Sequence, residues 1–417
     1  MKALNKMLMA VSFFGSVFLV GIFDKKTMTT LGGGDPMSAS VFFTQSVKSE
    51  DLRVAYNSVS STTKKLNVLL VPGHEPKFGG AEYRGILERD LNADLALYLA
   101  QYLVEDGHFE VVMTRGKDGW NPHIEDYFNT STDEIKTFVR KQKIEMLKLV
   151  SDGRIITIDG TVQHNDAPSD VALRLFGINK WANEHMVDIV IHIHFNDNSP
   201  RKTDAPGEYN GFSIYIPERQ YSNSLTSLDI SKHFFNRLSK MFPVSDLPGE
   251  NHGLVEDQAL IAVGSNNTVD AASMLIEYGY IYEPQFQTPD VRALVLKELA
   301  FQTYLGLSDF FGESSLIVGP HESTLLPYSG EAVVKKTTLA NTGVFAFQAA
   351  LTDKGFYPPE NYSRNDCPLS GILGPCTRAS LGDFQREFNI TGEKGVVGSK
   401  TRAQLRKLFE PSLVSKK

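Results

Sequence analysis

Short apolar runs alternate with longer stretches of helical periodicity along most of the chain. Leu66 to Pro72 (LNVLLVP) is a continuous apolar run closed by Pro72-Gly73, the pattern of a buried strand. Leu87, Leu91, Leu95, Leu99 and Leu103 then recur at every fourth position, which predicts a helix from about Glu88 to Glu105, ended by Gly107. Phe109 to Thr114 (FEVVMT) reads as a second strand, and Val187 to Phe195 as a third, preceded by a helix from about Ser169 to Glu184. Gly211 to Ile216 (GFSIYI) and Ser273 to Tyr278 (SMLIEY) are a fourth and a fifth. Helices at about Ser222 to Met241 and Phe286 to Phe311 fill the remaining length. Strands alternating with helices predict a layered α/β domain, a mostly parallel sheet with helices on both faces. In such sheets the site forms beyond the carboxyl ends of the strands.

The pattern breaks in three places. After Arg115 about fifty residues (116–168) exceed what the α/β core needs. Thr132 or Asp133 is positioned to cap a helix to Val150, with Ile135, Phe138, Val139, Ile144, Leu147 and Val150 as its apolar stripe. Asp159-Gly160 inside IITIDGTVQ (Ile155 to Gln163) predicts a hairpin. The insertion leaves the carboxyl end of the second strand, near the rim of the expected site, either as a packed decoration or as a lid. At the N-terminus, Lys2 and Lys6 precede the uncharged run Met7 to Phe23, so residues 1–26 read as a signal peptide or signal anchor. Residues 27–64, with Gly32-Gly33-Gly34 and many Ser and Thr, read as a flexible tether. Residues 313–335 are punctuated by Ser, Gly and Pro and read as a linker, which leaves 65–312 as the main domain. Three helical stretches follow, near Thr337 to Lys354, Thr377 to Phe388 and Ser399 to Phe409, a small all-α domain over 336–412.

Composition narrows the classes. The 417 residues are 41% hydrophobic and 22% charged, the balance of a globular protein with a sizeable core. A net charge of −7 argues against a basic nucleic-acid-binding surface, and any membrane contact is expected through the N-terminal segment alone. Two cysteines exclude a disulfide scaffold and a Cys-rich zinc module.

Residues able to do chemistry sit at the predicted strand ends. His74 follows the first strand, Glu88 opens the first helix, His192 and His194 lie in the third strand as IHIHFN, and Glu277 lies in the fifth. Two histidines and a carboxylate, with a fourth position for water, make the donor set of a catalytic zinc site, and a second carboxylate can move the proton. His192 and His194 are two apart and point to one face, so periodicity does not choose between them. A carboxylate such as Glu277 between Ile276 and Tyr278 is costly to bury unless a cation or hydrogen bonds compensate.

VPGH (Val71 to His74), Gly80-Ala81, ERDLN (Glu88 to Asn92), MTR (Met113 to Arg115), Ala182-Asn183, DIVIHIHFN (Asp188 to Asn196) and LIEYGY (Leu275 to Tyr280) resemble, in that order, the zinc-dependent N-acetylmuramoyl-L-alanine amidases of peptidoglycan hydrolysis. The resemblance implies zinc ligands His74, Glu88 and His194, with Glu277 as the catalytic glutamate. It also implies cleavage of the amide joining N-acetylmuramic acid to the L-alanine of the stem peptide. His192 stands where that family usually has serine, and Glu75 where glycine is common. His192, Asn196 and Arg115 are further candidates for supporting the ligands or touching substrate. Metal-dependent carboxypeptidases acting on wall peptides share the donor set, and a non-catalytic wall-binding scaffold is the remaining alternative.

The C-terminal stretch resembles the small three-helix peptidoglycan-binding domain through Phe347-Gln348, Gly355 to Tyr357, GILGPCTR (Gly371 to Arg378), Phe384-Gln385, Thr391-Gly392 and GVVGSKTR (Gly395 to Arg402). The two G-x-x-G-x-x-T-R elements suggest an internal duplication in which glycines make the turn and threonine caps the next helix. Cys367 precedes the first of them and Cys376 lies within it, and in an exported protein the pair is expected to form a disulfide. Together these readings predict an exported enzyme on the periplasmic or cell-wall side, with peptidoglycan as its partner and an activator protein left open.

Overall fold

The structure is a computed structural model and describes residues 46–59, 64–160, 162–164, 167–198, 200–263, 270–312, 325–330 and 339–410. The apolar N-terminal run, most of residues 27–64 and most of the linker lie outside these residues; residues 49–57, expected as tether, instead form a helix that buries Leu52 and Tyr56 in the main core. Among the described residues no helix is long and apolar enough to cross a membrane.

The elements in chain order are α1 (Ser49–Asn57), β1 (Leu66–Pro72), β2 (Glu82–Tyr83), β3 (Ile86–Leu87), α2 (Glu88–Asp106), β4 (Phe109–Met113), α3 (Pro122–Thr130), α4 (Thr132–Ser151), α5 (Ser169–Glu184) and β5 (Ile189–Asn196). They continue with β6 (Ser213–Pro217), α6 (Ser224–Leu238), β7 (Leu254–Asp257), β8 (Ala272–Tyr280), α7 (Pro284–Gln287) and α8 (Pro289–Phe311). Three more helices, α9 (Thr342–Asp353), α10 (Pro375–Glu387) and α11 (Ser399–Lys407), form the C-terminal part. The main sheet has six strands in the order β4-β1-β5-β8-β6-β7. All neighbours are parallel except β6 and β8, which are antiparallel.

Strand alternation sorts side chains between two faces. Val68 and Leu70 of β1, Ile189, Ile191 and Ile193 of β5 and Met274 and Ile276 of β8 enter one large core with the apolar sides of α2, α6 and α8. The intervening residues face the other way. There Leu69, Val71 and Val190 pack under α3, α4 and α5, and Tyr215 and Leu275 join a small separate cluster with Val255, Ala262 and Val263. His192, His194 and Glu277 belong to this second face.

The insertion differs from its prediction in three respects, the first being that the N-cap of α4 is Ser131, with Thr132 and Asp133 already inside the helix. Helix α4 forms, but it buries Ile135, Met146 and Leu149, and Ile144 and Leu147 are 66% and 51% exposed. Its first turns pack beside α5 and its last turn packs on Ile155 and Tyr221, which rotates the buried face away from the expected stripe. No hairpin forms, since described residues 155–160 contain no strand. The backbone of Ile156 and Ile158 is satisfied instead by side chains, with Gln220 Oε1 accepting from Ile156 N at 2.8 Å and Gln258 Oε1 from Ile158 N at 3.0 Å. A local Asp-Gly signal does not outweigh two glutamines supplied from distant loops.

The C-terminal duplication is physical. Gln348 Oε1 accepts from Gly371 N, while its Nε2 donates to Ile372 O and Thr377 Oγ1 at 3.2 and 2.8 Å. Gln385 repeats this with Gly395 N, Val396 O and Thr401 Oγ1. The threonines are therefore not caps: the N-cap positions are Gly374 and Gly398, and each threonine lies inside the first turn, locked to a glutamine. Cys367 and Cys376 are joined, with Cα atoms 5.8 Å apart. The apolar core of this part, including Phe345, Phe347, Leu381 and Phe384, is continuous with the large core of the main domain, and Asn365 Nδ2 donates to Val244 O at 2.8 Å.

Candidate active site

The carboxyl ends of β1 and β5 and the start of α2 bring three side chains together. His74 Nε2 lies 2.8 Å from Glu88 Oε2, and His194 Nδ1 lies 3.2 Å from Glu88 Oε1. One ligand atom from each of the three falls within 4.8 Å of the others. Burial alone would push the Glu88 carboxyl up, but the two imidazoles outweigh it and hold it well below the usual carboxylate range. Ala81 N donates to Glu88 Oε2 at 2.8 Å and Asn92 Nδ2 to Oε1 at 3.3 Å. Asn92, one turn after Glu88 on the same helix face, also holds Gly73 O at 3.2 Å.

The loop from Pro72 to Ala81 is shaped by close approach. A β-carbon on Gly73 would stand 2.2 Å from the His194 ring, so only glycine lets the two strand ends converge. Gly80 has φ +81, and a β-carbon there would meet His74 Cδ2 at 2.9 Å and Glu88 Oε2 at 3.1 Å. His74 itself has φ 67, an uncommon conformation for a residue with a β-carbon, held in place by its surroundings. Arg115, 1% exposed, supplies much of that hold. Its Nε donates to Pro72 O at 3.1 Å and His74 O at 2.7 Å, and its terminal nitrogens donate to Gly73 O, Gly116 O and Arg89 O. Burial lowers its pKa to about 10, still a cation at neutral pH.

Glu277 sits beside His194 in the β5–β8 register, and its Oε2 is buried without a hydrogen-bond partner. Burial, with Glu88 and then Glu250 nearby, pushes its carboxyl well above the usual range. His192 pairs in register with Leu275, one pleat further into the sheet. It is 3% exposed, its Nε2 has no partner, and burial beside His194 pushes it down to about 3, so it is neutral. Asn196 turns away from the three ligand groups: its Nδ2 donates to Glu250 Oε1 at 3.2 Å and its Oδ1 accepts from Asp197 N. Glu250 also accepts from the hydroxyls of Tyr215 and Ser245, a buried carboxylate network that nothing in the sequence had marked. Glu75 pairs with Arg174 Nε at 2.7 Å.

Residues 68–288 match the family profile described as N-acetylmuramoyl-L-alanine amidase. No curated sequence matches the chain. Solved structures similar to it include the amidase Ami1 from Mycobacterium smegmatis, at 17% identity over 59% of this chain and 97% of that one, with a TM-score of 0.38. Others are AmiC2 of Nostoc punctiforme (16%, 60% and 98%, TM-score 0.36) and an amidase from Clostridium difficile 630 (15%, 60% and 95%, TM-score 0.34). With that profile spanning more than half of its 417 residues, the chain belongs to the N-acetylmuramoyl-L-alanine amidase family and is a peptidoglycan hydrolase.

Proposed function

We propose that the enzyme cuts the bond between N-acetylmuramic acid and L-alanine with a zinc ion held by His74, Glu88 and His194, and that Glu277 carries the proton. The observation that bears most weight is the Glu88 carboxylate gripped by two imidazoles, all three ligand atoms within 4.8 Å of one another. Two nitrogens and one carboxylate fit zinc, with a fourth position left for water. Bound there, zinc supplies Lewis acidity, acidifying water and polarising the amide carbonyl. Glu277, in the register position next to His194 and with a buried, unpartnered oxygen, is suited to take the proton of the attacking water and deliver it to the leaving nitrogen as the C–N bond breaks. Arg115 and Asn92 position rather than react: Arg115 fixes the carbonyls that set His74, and Asn92 orients Glu88.

In the same reading, residues 1–26 export the chain to the wall side and the C-terminal duplicated helices bind peptidoglycan. The experiment is digestion of purified sacculi with and without chelator, with mass spectrometry of the products. Chelator-sensitive release of intact stem peptides beginning with L-alanine is expected. Shortened peptides still attached to glycan would point to a carboxypeptidase, and no release to a scaffold.

A further inference from the structure

A cavity of about 1020 Å³ adjoins His74 and His194 and continues past them along the second face of the sheet. Its floor includes His192, Leu275 and Ala262; its cover is the insertion, through Val150, Ile155 and Val162. Beyond its end at His74 and His194, the proton-transfer reading uses none of this space.

Two imidazoles, His192 and His164, are among the polar groups that line the cavity beyond His74 and His194. His192 is 3% exposed and its buried Nε2 has no partner. His164, brought by the insertion, bonds through Nε2 to Asp257 Oδ2 at 3.0 Å, and its ring meets Tyr215 edge-on at 5.3 Å. Asp257 is 1% exposed and its Oδ1 is tied to Ala259 N and Leu260 N, so it orients the imidazole and is itself fixed. In register, His192 pairs with Leu275 and Leu275 with Tyr215, a single row across β5, β8 and β6. The row above it holds His194 and Glu277. At about 3.3 Å per residue the two rows are roughly 6.6 Å apart. An extended peptide advances by a similar step, so with its first amide at the ligand residues its second residue stands opposite the lower row.

The substrate has two arms at the reacting amide. The glycan continues in both directions past the sugar and needs an open trough, whereas the peptide leaves on one side only. A partly covered cavity at the upper end of the roughly 300–1,000 Å³ typical of ligand pockets suits an arm that leaves on one side. We propose that this cavity is the subsite for the stem peptide beyond its first residue, with His164, set by Asp257, and His192 hydrogen-bonding the peptide, so that the insertion governs which peptides are cut. The inference rests on the amidase reading above.

The test compares full-length zinc-loaded enzyme on muramyl substrates carrying one, two and four residues. The wild type is expected to gain in kcat/KM with peptide length. His164→Ala is expected to lower the four-residue to one-residue ratio about tenfold, mostly through KM, and His164→Gln, which keeps a hydrogen-bonding group, to recover part of it. An unchanged ratio, or an equal loss on all three substrates from a folded variant, overturns the peptide subsite. Failure of the wild type to hydrolyse any muramyl substrate overturns the amidase reading itself.

Discussion

On one face of the sheet Val68, Leu70, Ile191, Met274 and Ile276 lie beneath α2, α6 and α8, each no more than 1% exposed, in a core that runs on into the C-terminal helices. On the other face the helical cover of α3, α4 and α5 reaches Leu69, Val71 and Val190, while Leu275 and Ala262 look into a cavity covered by an insertion. Both faces are made by the same strands, through alternate residues. The closed face carries stability, and the open face carries the histidines and the glutamate, where buried polar atoms remain without partners. Such atoms cost stability in the free protein. They are acceptable where a metal or a substrate completes them.

The contrast is broken most directly at Glu277. Glu277→Gln keeps shape and volume on the open face while removing the proposed base, so kcat is expected to fall about 10²–10⁴-fold. Zinc content and melting temperature are expected to stay at wild-type values. Undiminished hydrolysis of sacculi by this variant would remove Glu277 from the chemistry.

Paired truncations sharpen the same contrast in stability. Leu299 of α8 is fully buried against the closed face, and Leu299→Ala is expected to cost about 3–5 kcal/mol. Leu275 borders space that already exists, so Leu275→Ala leaves less new void and is expected to cost about 2 kcal/mol or less. Denaturant midpoints measure both. Equal losses would mean that the two faces are equally well packed. Smaller again is the glutamine tether. Gln258 bonds Ile158 N and Ile156 O, and Gln258→Ala is expected to cost about 1 kcal/mol, concentrated as faster amide exchange at residues 155–160.

The closed face was legible in the sequence because it is repetitive. The leucine series from Leu91 to Leu103 and the apolar runs of β1, β5 and β8 placed α2 and three strands to within a few residues. The histidines and glutamates at the strand ends were legible for a related reason, since carboxyl ends of parallel strands are where a site forms. What could not be read depends on distant partners. Leu254–Asp257 is an edge strand of four residues with two acids, too short and polar for a periodic signal. Arg115 could be singled out, but not its task, because its five acceptors include three carbonyls of a loop about forty positions earlier. Asp159-Gly160 gave a strong hairpin signal and no hairpin, because Gln220 and Gln258 take the bonds that a second strand would have made. Glu250 and Asp257 stand in no periodic or motif context, and only the fold buries them.

The finest distinction between the faces is in pH. The closed face is mostly apolar, with Glu298 buried among its helices, whereas the open face holds Asp257 in a buried setting. Burial would raise the Asp257 carboxyl, but the His164 hydrogen bond and charge, with the two backbone donors, lower it below its ordinary value. A carboxylate lowered in the folded state contributes stability above its unfolded pKa and loses it as pH falls through the folded one. Wild-type stability is therefore expected to decline as pH drops below about 4, where an unfolded Asp begins to take up its proton. Asp257→Asn cannot titrate, so its unfolding free energy is expected to be lower at neutral pH and to fall less steeply across that acid range. Parallel slopes for the two proteins in acid denaturation would show that the His164–Asp257 pair adds nothing to the open face that depends on charge.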